Sequence, residues 1–75
     1  MNTAAADSDA EPQTPPIGVR PHRRAARLTQ AELASAVGVS RQTIVAIEKG
    51  DYAPSVFLAL RLARSLETTV ENLFS

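Results

Sequence analysis

The chain has 75 residues and a mass of 8.0 kDa, enough for one small domain whose core is marginal without a covalent staple, a metal or a second copy. It contains no cysteine and a single histidine, His22, which argues against disulfides, thiolate chemistry and a structural zinc site, so neither cofactor nor metal is expected. Eight basic and eight acidic residues cancel overall but are segregated: Asp7, Asp9 and Glu11 precede residue 20, whereas residues 20–50 carry six basic residues against two acidic ones.

Residues 1–19 combine those three acids with Pro12, Pro15, Pro16 and small or polar residues, and read as a flexible, disordered tail that leaves residues 20–75 as the domain. The first helix is placed at 21–27, because Pro21 suits a first helical turn and damages a helix interior. His22, with no acidic partner near it in sequence, reads as a surface or helix-start residue. Thr29 and Glu32 stand at capping-box spacing and start a second helix over 30–37. Its Leu33, Ala34 and Val37 form an inward stripe, and Gly38 then permits a left-handed turn at little cost. Val39 can plug the core beneath that turn, and Ser40 caps a third helix over 41–49 that Gly50 stops. After a turn at Asp51 to Pro54, Ser55 caps a fourth helix over 56–65, where Ala59, Leu62, Ala63 and Leu66 repeat at helical spacing to cover the core. Thr69 caps a last turn over 70–73, with Val70 and Leu73 facing the bundle. The expected fold class is therefore all-α, with five helices.

Two short capped helices joined by a glycine turn form a helix-turn-helix pattern, in which the second helix reads the major groove of DNA. Along that helix Ile44 and Ile47 point inward, while Arg41, Gln42, Ala46 and Lys49 share an outward face. Arg41 and Gln42 bring the donors that suit guanine and adenine edges, and Ala46 allows close approach, so these three are the candidate base contacts. Arg23, Arg24, Arg27, Gln30, Thr43 and Lys49 are the candidate contacts to phosphate or groove walls, with Arg20 in the same basic run. Phe57 and Phe74 are candidate dimer contacts, since the fourth helix carries apolar residues on more than one face. Nothing in the chain pairs an acid with a base, sets a nucleophile beside a base or cradles phosphate on a glycine loop, so an enzyme is not expected. The apolar runs are too short for a membrane span or a signal peptide, and the expected compartment is the cytoplasm.

The segments LTQAELA, VGVSRQTI, AIEKG, YAPS, LALRLARSL and TTVENLF occur in an order that resembles the Cro and phage-repressor type, or XRE, helix-turn-helix family from about Arg20 to Phe74. The resemblance implies a compact, five-helix, lambda-repressor-like domain. It also implies a small bacterial transcriptional regulator that binds operator double-stranded DNA sequence-specifically, usually as a homodimer. It places Gln30 at the phosphate-positioning start of the second helix, Arg41, Gln42 and Ala46 outward on the recognition helix, Thr43 at the backbone or groove, and Glu48 in a local contact. An antitoxin or protein-binding adaptor using the same domain is the alternative. The chain departs from the family at three places: His22 stands where a second apolar residue would follow Val19, and Arg27 and Glu67 replace common glycines. Those two junctions are expected to be less relaxed or to use a different backbone geometry.

Overall fold

The computed structural model describes residues 17–74, which form five helices: α1 (Val19–Ala25), α2 (Gln30–Val37), α3 (Arg41–Lys49), α4 (Val56–Ser65) and α5 (Val70–Phe74). The expected tail falls almost entirely on residues 1–16, outside the described ones. Local chemistry sets the starts of α2 to α5. Thr29 Oγ1 accepts from the Glu32 amide at 3.0 Å while the Thr29 amide donates to Glu32 Oε1 at 2.8 Å, a complete capping box. Ser40 and Ser55 accept from the Thr43 and Leu58 amides, and Thr69 from the Asn72 amide, so each of these helix ends has one otherwise unpaired N–H satisfied.

The helix ends share one device. After each of α1 to α4 the chain places one residue in the left-handed region, and the next amide donates back to a carbonyl five residues earlier: Leu28 to Arg23, Val39 to Ala34, Asp51 to Ala46 and Thr68 to Ala63. The left-handed residues are Arg27 (φ 62°), Gly38 (φ 78°), Gly50 (φ 82°) and Glu67 (φ 55°). The two positions where glycine is missing therefore keep the glycine-type geometry and hold it under strain, rather than adopting a different turn. Leu28 and Val39, the residues after two of these turns, also pack on the core, which helps to hold the chain in that reversal.

Helix α1 begins two residues before the expected Pro21 and ends at Ala25 rather than Arg27. Pro21 is the third residue of the helix, where its missing N–H would have had no intrahelical partner. The earlier start follows from tertiary contacts: Val19 is buried in the core, and the Gly18 amide donates to the Asn72 carbonyl at 2.9 Å. His22, read as a surface residue, is instead part-buried. Its Nδ1–H donates to the Gly18 carbonyl at 2.9 Å, and its Nε2 lies 3.4 Å from Thr68 Oγ1, which also accepts from Asn72 Nδ2. An imidazole thus takes the place of the apolar residue and links α1 to the start of α5.

The core is built from Val19, Leu33, Ala34, Val37, Ile44, Ile47, Leu58, Leu62, Ala63, Leu66 and Leu73, with Leu28, Val39 and Val70 packed against it. Leu33, Val37, Ile44 and Leu62 are sealed from solvent, each worth about 1.5–3 kcal/mol of burial. They join α2, α3 and α4, so the helices carrying the candidate interface share one sealed centre with α4. Arg61 on α4 donates from Nε to the Val37 carbonyl at 3.1 Å, satisfying the C-terminal end of α2 across the fold.

The strained junctions give a direct test. Arg27→Gly and Glu67→Gly should each raise stability by about 0.5–1 kcal/mol in denaturant unfolding, whereas alanine at either position should give no such gain. Unchanged midpoints in the glycine variants would mean that the native side chains make contacts that offset the strain.

Candidate nucleic-acid interface

The outward face of α3 rests on one sealed carboxylate. The Glu48 side chain is fully inaccessible, and three side chains from two other helices converge on it. Arg23 on α1 donates from Nε to Oε2 at 2.6 Å and from Nη2 to Oε1 at 3.2 Å, and Gln30 on α2 donates to Oε1 at 3.1 Å. Arg20, its side chain half exposed, adds a longer contact to Oε1 at 3.4 Å. Burial pushes the Glu48 carboxyl up, but the hydrogen bonds from Arg23 and Gln30, the Arg23 charge and the Arg20 bond outweigh it and hold the group below the usual carboxylate range. Arg23 further donates from Nη1 to the Leu28 carbonyl at 2.9 Å, so its guanidinium also fixes the strained α1–α2 junction.

Arg23, expected to contact phosphate, is 9% exposed, and its Nε, Nη1 and Nη2 each donate internally, to Glu48 and Leu28, so it braces α1 against α3. Sequence spacing could not reveal this, because Arg23 and Glu48 are 25 residues apart and meet only when α1 crosses α3. Gln30 is half-buried and its amide nitrogen donates to Glu48, while the backbone N–H at the first position of α2 has no intrahelical partner. Arg24 and Arg27 are exposed, as expected of cations that could meet phosphate.

On α3 itself, Arg41, Gln42 and Lys49 are exposed, and Thr43, Val45 and Ala46 are half-buried between them and the core. Ser40 Oγ and Thr43 Oγ1 lie 3.0 Å apart, tying Thr43 to the helix cap. The result is a helix with two long donors at its N-terminal end, a low apolar middle and a cation at its C-terminal end. Phe74 lines an apolar groove with Tyr52, Pro54, Val56 and Val70, and Phe57, 75% exposed, is not among the residues lining it. Among the described residues no group of three or more His, Cys, Asp or Glu could hold a metal ion, and no helix is long and apolar enough to cross a membrane.

The helix-turn-helix family profile matches residues 22–73, which spans all of α2, α3 and α4. The chain belongs to the XRE/Cro-type helix-turn-helix family. It is similar to an uncharacterised HTH-type transcriptional regulator of Methanothermobacter thermautotrophicus, with 54% identity over 57 residues, covering 75% of this chain and 83% of the relative. A Methanocaldococcus jannaschii regulator of the same description is 49% identical over 53 residues, covering 71% and 80%. The YgzD regulator of Bacillus subtilis is 48% identical over 46 residues, covering 61% and 70%. The similarity thus spans archaea and bacteria. At family level the role of this helix-turn-helix chain is that of a transcriptional regulator.

Glu48 sets a testable link between pH and fold. Its lowered pKa means that its contribution to stability is present above its ordinary value of 4.5 and is lost as pH falls through the lower folded-state value. Glu48→Ala should cost about 3–5 kcal/mol, because it leaves the buried Arg23 charge without a partner. In Glu48→Gln the acid limb of stability against pH should flatten. An acid limb of unchanged depth in that variant would place the titrating group elsewhere.

Proposed function

We propose that the domain binds operator double-stranded DNA sequence-specifically, with α3 in the major groove and a lambda-repressor-like arrangement of its five helices. The observation that carries this reading is the outward row of exposed Arg41, Gln42 and Lys49, with half-buried Ala46 among them, on a helix whose opposite side is locked by Ile44, Ile47 and Glu48. Rigid backing matters, because a bidentate base contact worth about 1–3 kcal/mol of discrimination is lost by small misplacements of the donor. Arg41 and Gln42 read base edges, Ala46 packs against the groove floor, and Thr43 contacts the groove wall or backbone. Arg24, Arg27, Lys49 and the α2 start at Gln30 meet phosphates. The chain acts as a homodimer on a two-fold site. Support for this comes from Tyr52, Val56 and Phe74, exposed by 48%, 73% and 38% around one groove, which a second copy would cover.

A protein-binding role can coexist with this one. Phe57 and Leu60, 75% and 44% exposed at helical spacing on α4, are apolar surface that DNA binding does not explain.

Selection from a random duplex pool, followed by salt titration on the recovered site, tests the division of labour. Gln42→Ala should relax preference at one localised position by about 1–3 kcal/mol, while Lys49→Ala should weaken all duplexes alike and lower the salt slope by about one phosphate equivalent. If Lys49→Ala rewrote the preference and Gln42→Ala left it intact, the assignment would be reversed. Mass measurement at the binding concentration should find two chains per site, with half-sites about 34 Å apart. One chain per site with no second binding event would exclude the dimer.

A further inference from the structure

The cations of residues 20–50 are unevenly used. Of the two acids in that stretch, Glu48 is sealed against Arg20 and Arg23, and Glu32 is committed to the α2 capping box. Arg24, Arg27, Arg41 and Lys49 are exposed and make no ion pair among the described residues. The opposite imbalance lies immediately upstream, where residues 1–19 hold Asp7, Asp9 and Glu11 and neither Lys nor Arg.

Where that segment joins the domain matters. Ile17, Gly18 and Arg20 line the same cleft as Lys49, so the chain enters the fold beside the C-terminal end of α3. Glu11, Asp9 and Asp7 lie six, eight and ten residues before Ile17, which covalent geometry converts to a maximum reach of about 20, 27 and 35 Å. The nine residues of α3 rise only about 13 Å. All three carboxylates can therefore reach any cation on α3, at the effective concentration, of order millimolar, that a short tether provides.

We infer that the acidic segment from Asp7 to Glu11 docks on the basic face formed by Lys49, Arg41 and the nearby arginines, and competes there with DNA phosphate. The inference deepens the DNA-binding reading and rests on it for the identity of the competitor. The carboxylates lack the regular spacing and charge density of a duplex backbone, so the segment yields to DNA and acts most strongly against weak, non-specific duplexes. Its effect is confined to low and moderate salt, because the screening length falls to about 8 Å at 0.15 M.

Two measurements on the full chain test this. The first compares non-specific duplex binding by the unmodified chain and by the combined variant Asp7→Asn, Asp9→Asn, Glu11→Gln. The variant should bind about three- to tenfold more tightly at 50 mM salt, with the difference vanishing near 0.5 M. The second uses a spin label on Ser8→Cys, the only cysteine the chain would then have. Without DNA, amide signals near Arg41 and Lys49 should broaden while those of Val56 to Leu60 do not, and duplex should restore them. Equal affinities would overturn the competition. Tighter binding without localised broadening would assign the effect to net charge and overturn the docking. If neither protein binds any duplex at low salt, the DNA reading fails and competition with it, while the label still decides whether the segment docks.

Discussion

Glu48 is the constraint on which the placement of α3 depends. Its carboxylate receives α1 through Arg23 and Arg20 and α2 through Gln30, so one side chain on α3 fixes that helix against two neighbours. A buried ion pair contributes little net stability once the cost of desolvating both charges is counted. The sealed Leu33, Val37, Ile44 and Leu62 supply far more. What the polar cluster adds is direction. Apolar contacts tolerate small rotations of a helix, whereas a two-point guanidinium–carboxylate contact with bonds of 2.6 and 3.2 Å does not. The apolar core therefore holds the helices together, and Glu48 sets the angle at which α3 presents Arg41 and Gln42.

The same cluster links the interface to the folding of the junction before it. Arg23 holds Glu48 with one edge of its guanidinium and the Leu28 carbonyl with Nη1, while the Leu28 amide donates to the Arg23 carbonyl. That reciprocal pair stabilises the reversal in which Arg27 sits at φ 62° without a glycine. Strain at Arg27 is thus maintained by the residue that orients α3. At Glu67, the other strained junction, the neighbouring Thr68 takes part in the hydrogen bonds of His22 and Asn72. Each non-glycine turn lies next to a polar cluster that holds it in place.

Much of this was readable from local pattern. The capping box at Thr29 and Glu32, the Ser40, Ser55 and Thr69 caps, and the left-handed glycines 38 and 50 depend on residues within one or two turns of each other; α2 to α5 begin at those caps, and α2 and α3 end at those glycines. The inward stripes of α2 to α4 follow equally from helical spacing, and every residue assigned to them is buried. The outward face of α3 is the complement of its inward one, so the exposure of Arg41, Gln42 and Lys49 was legible too.

Contacts between distant segments were not legible, because no local periodicity encodes them. The sequence by itself determined which residues make helices, where four of the five begin and which faces are apolar, since these follow from caps and spacing within about ten residues. Only the tertiary structure decided that Arg23 is buried against Glu48, that His22 replaces an apolar residue by bridging Gly18 and Thr68, and that α1 starts at Val19. It also decided that Arg27 and Glu67 take the backbone geometry of the glycines they replace. Arg23 and His22 are polar side chains for which solvent is an equally good local partner, and only the approach of another helix removes that solvent and selects the internal contact.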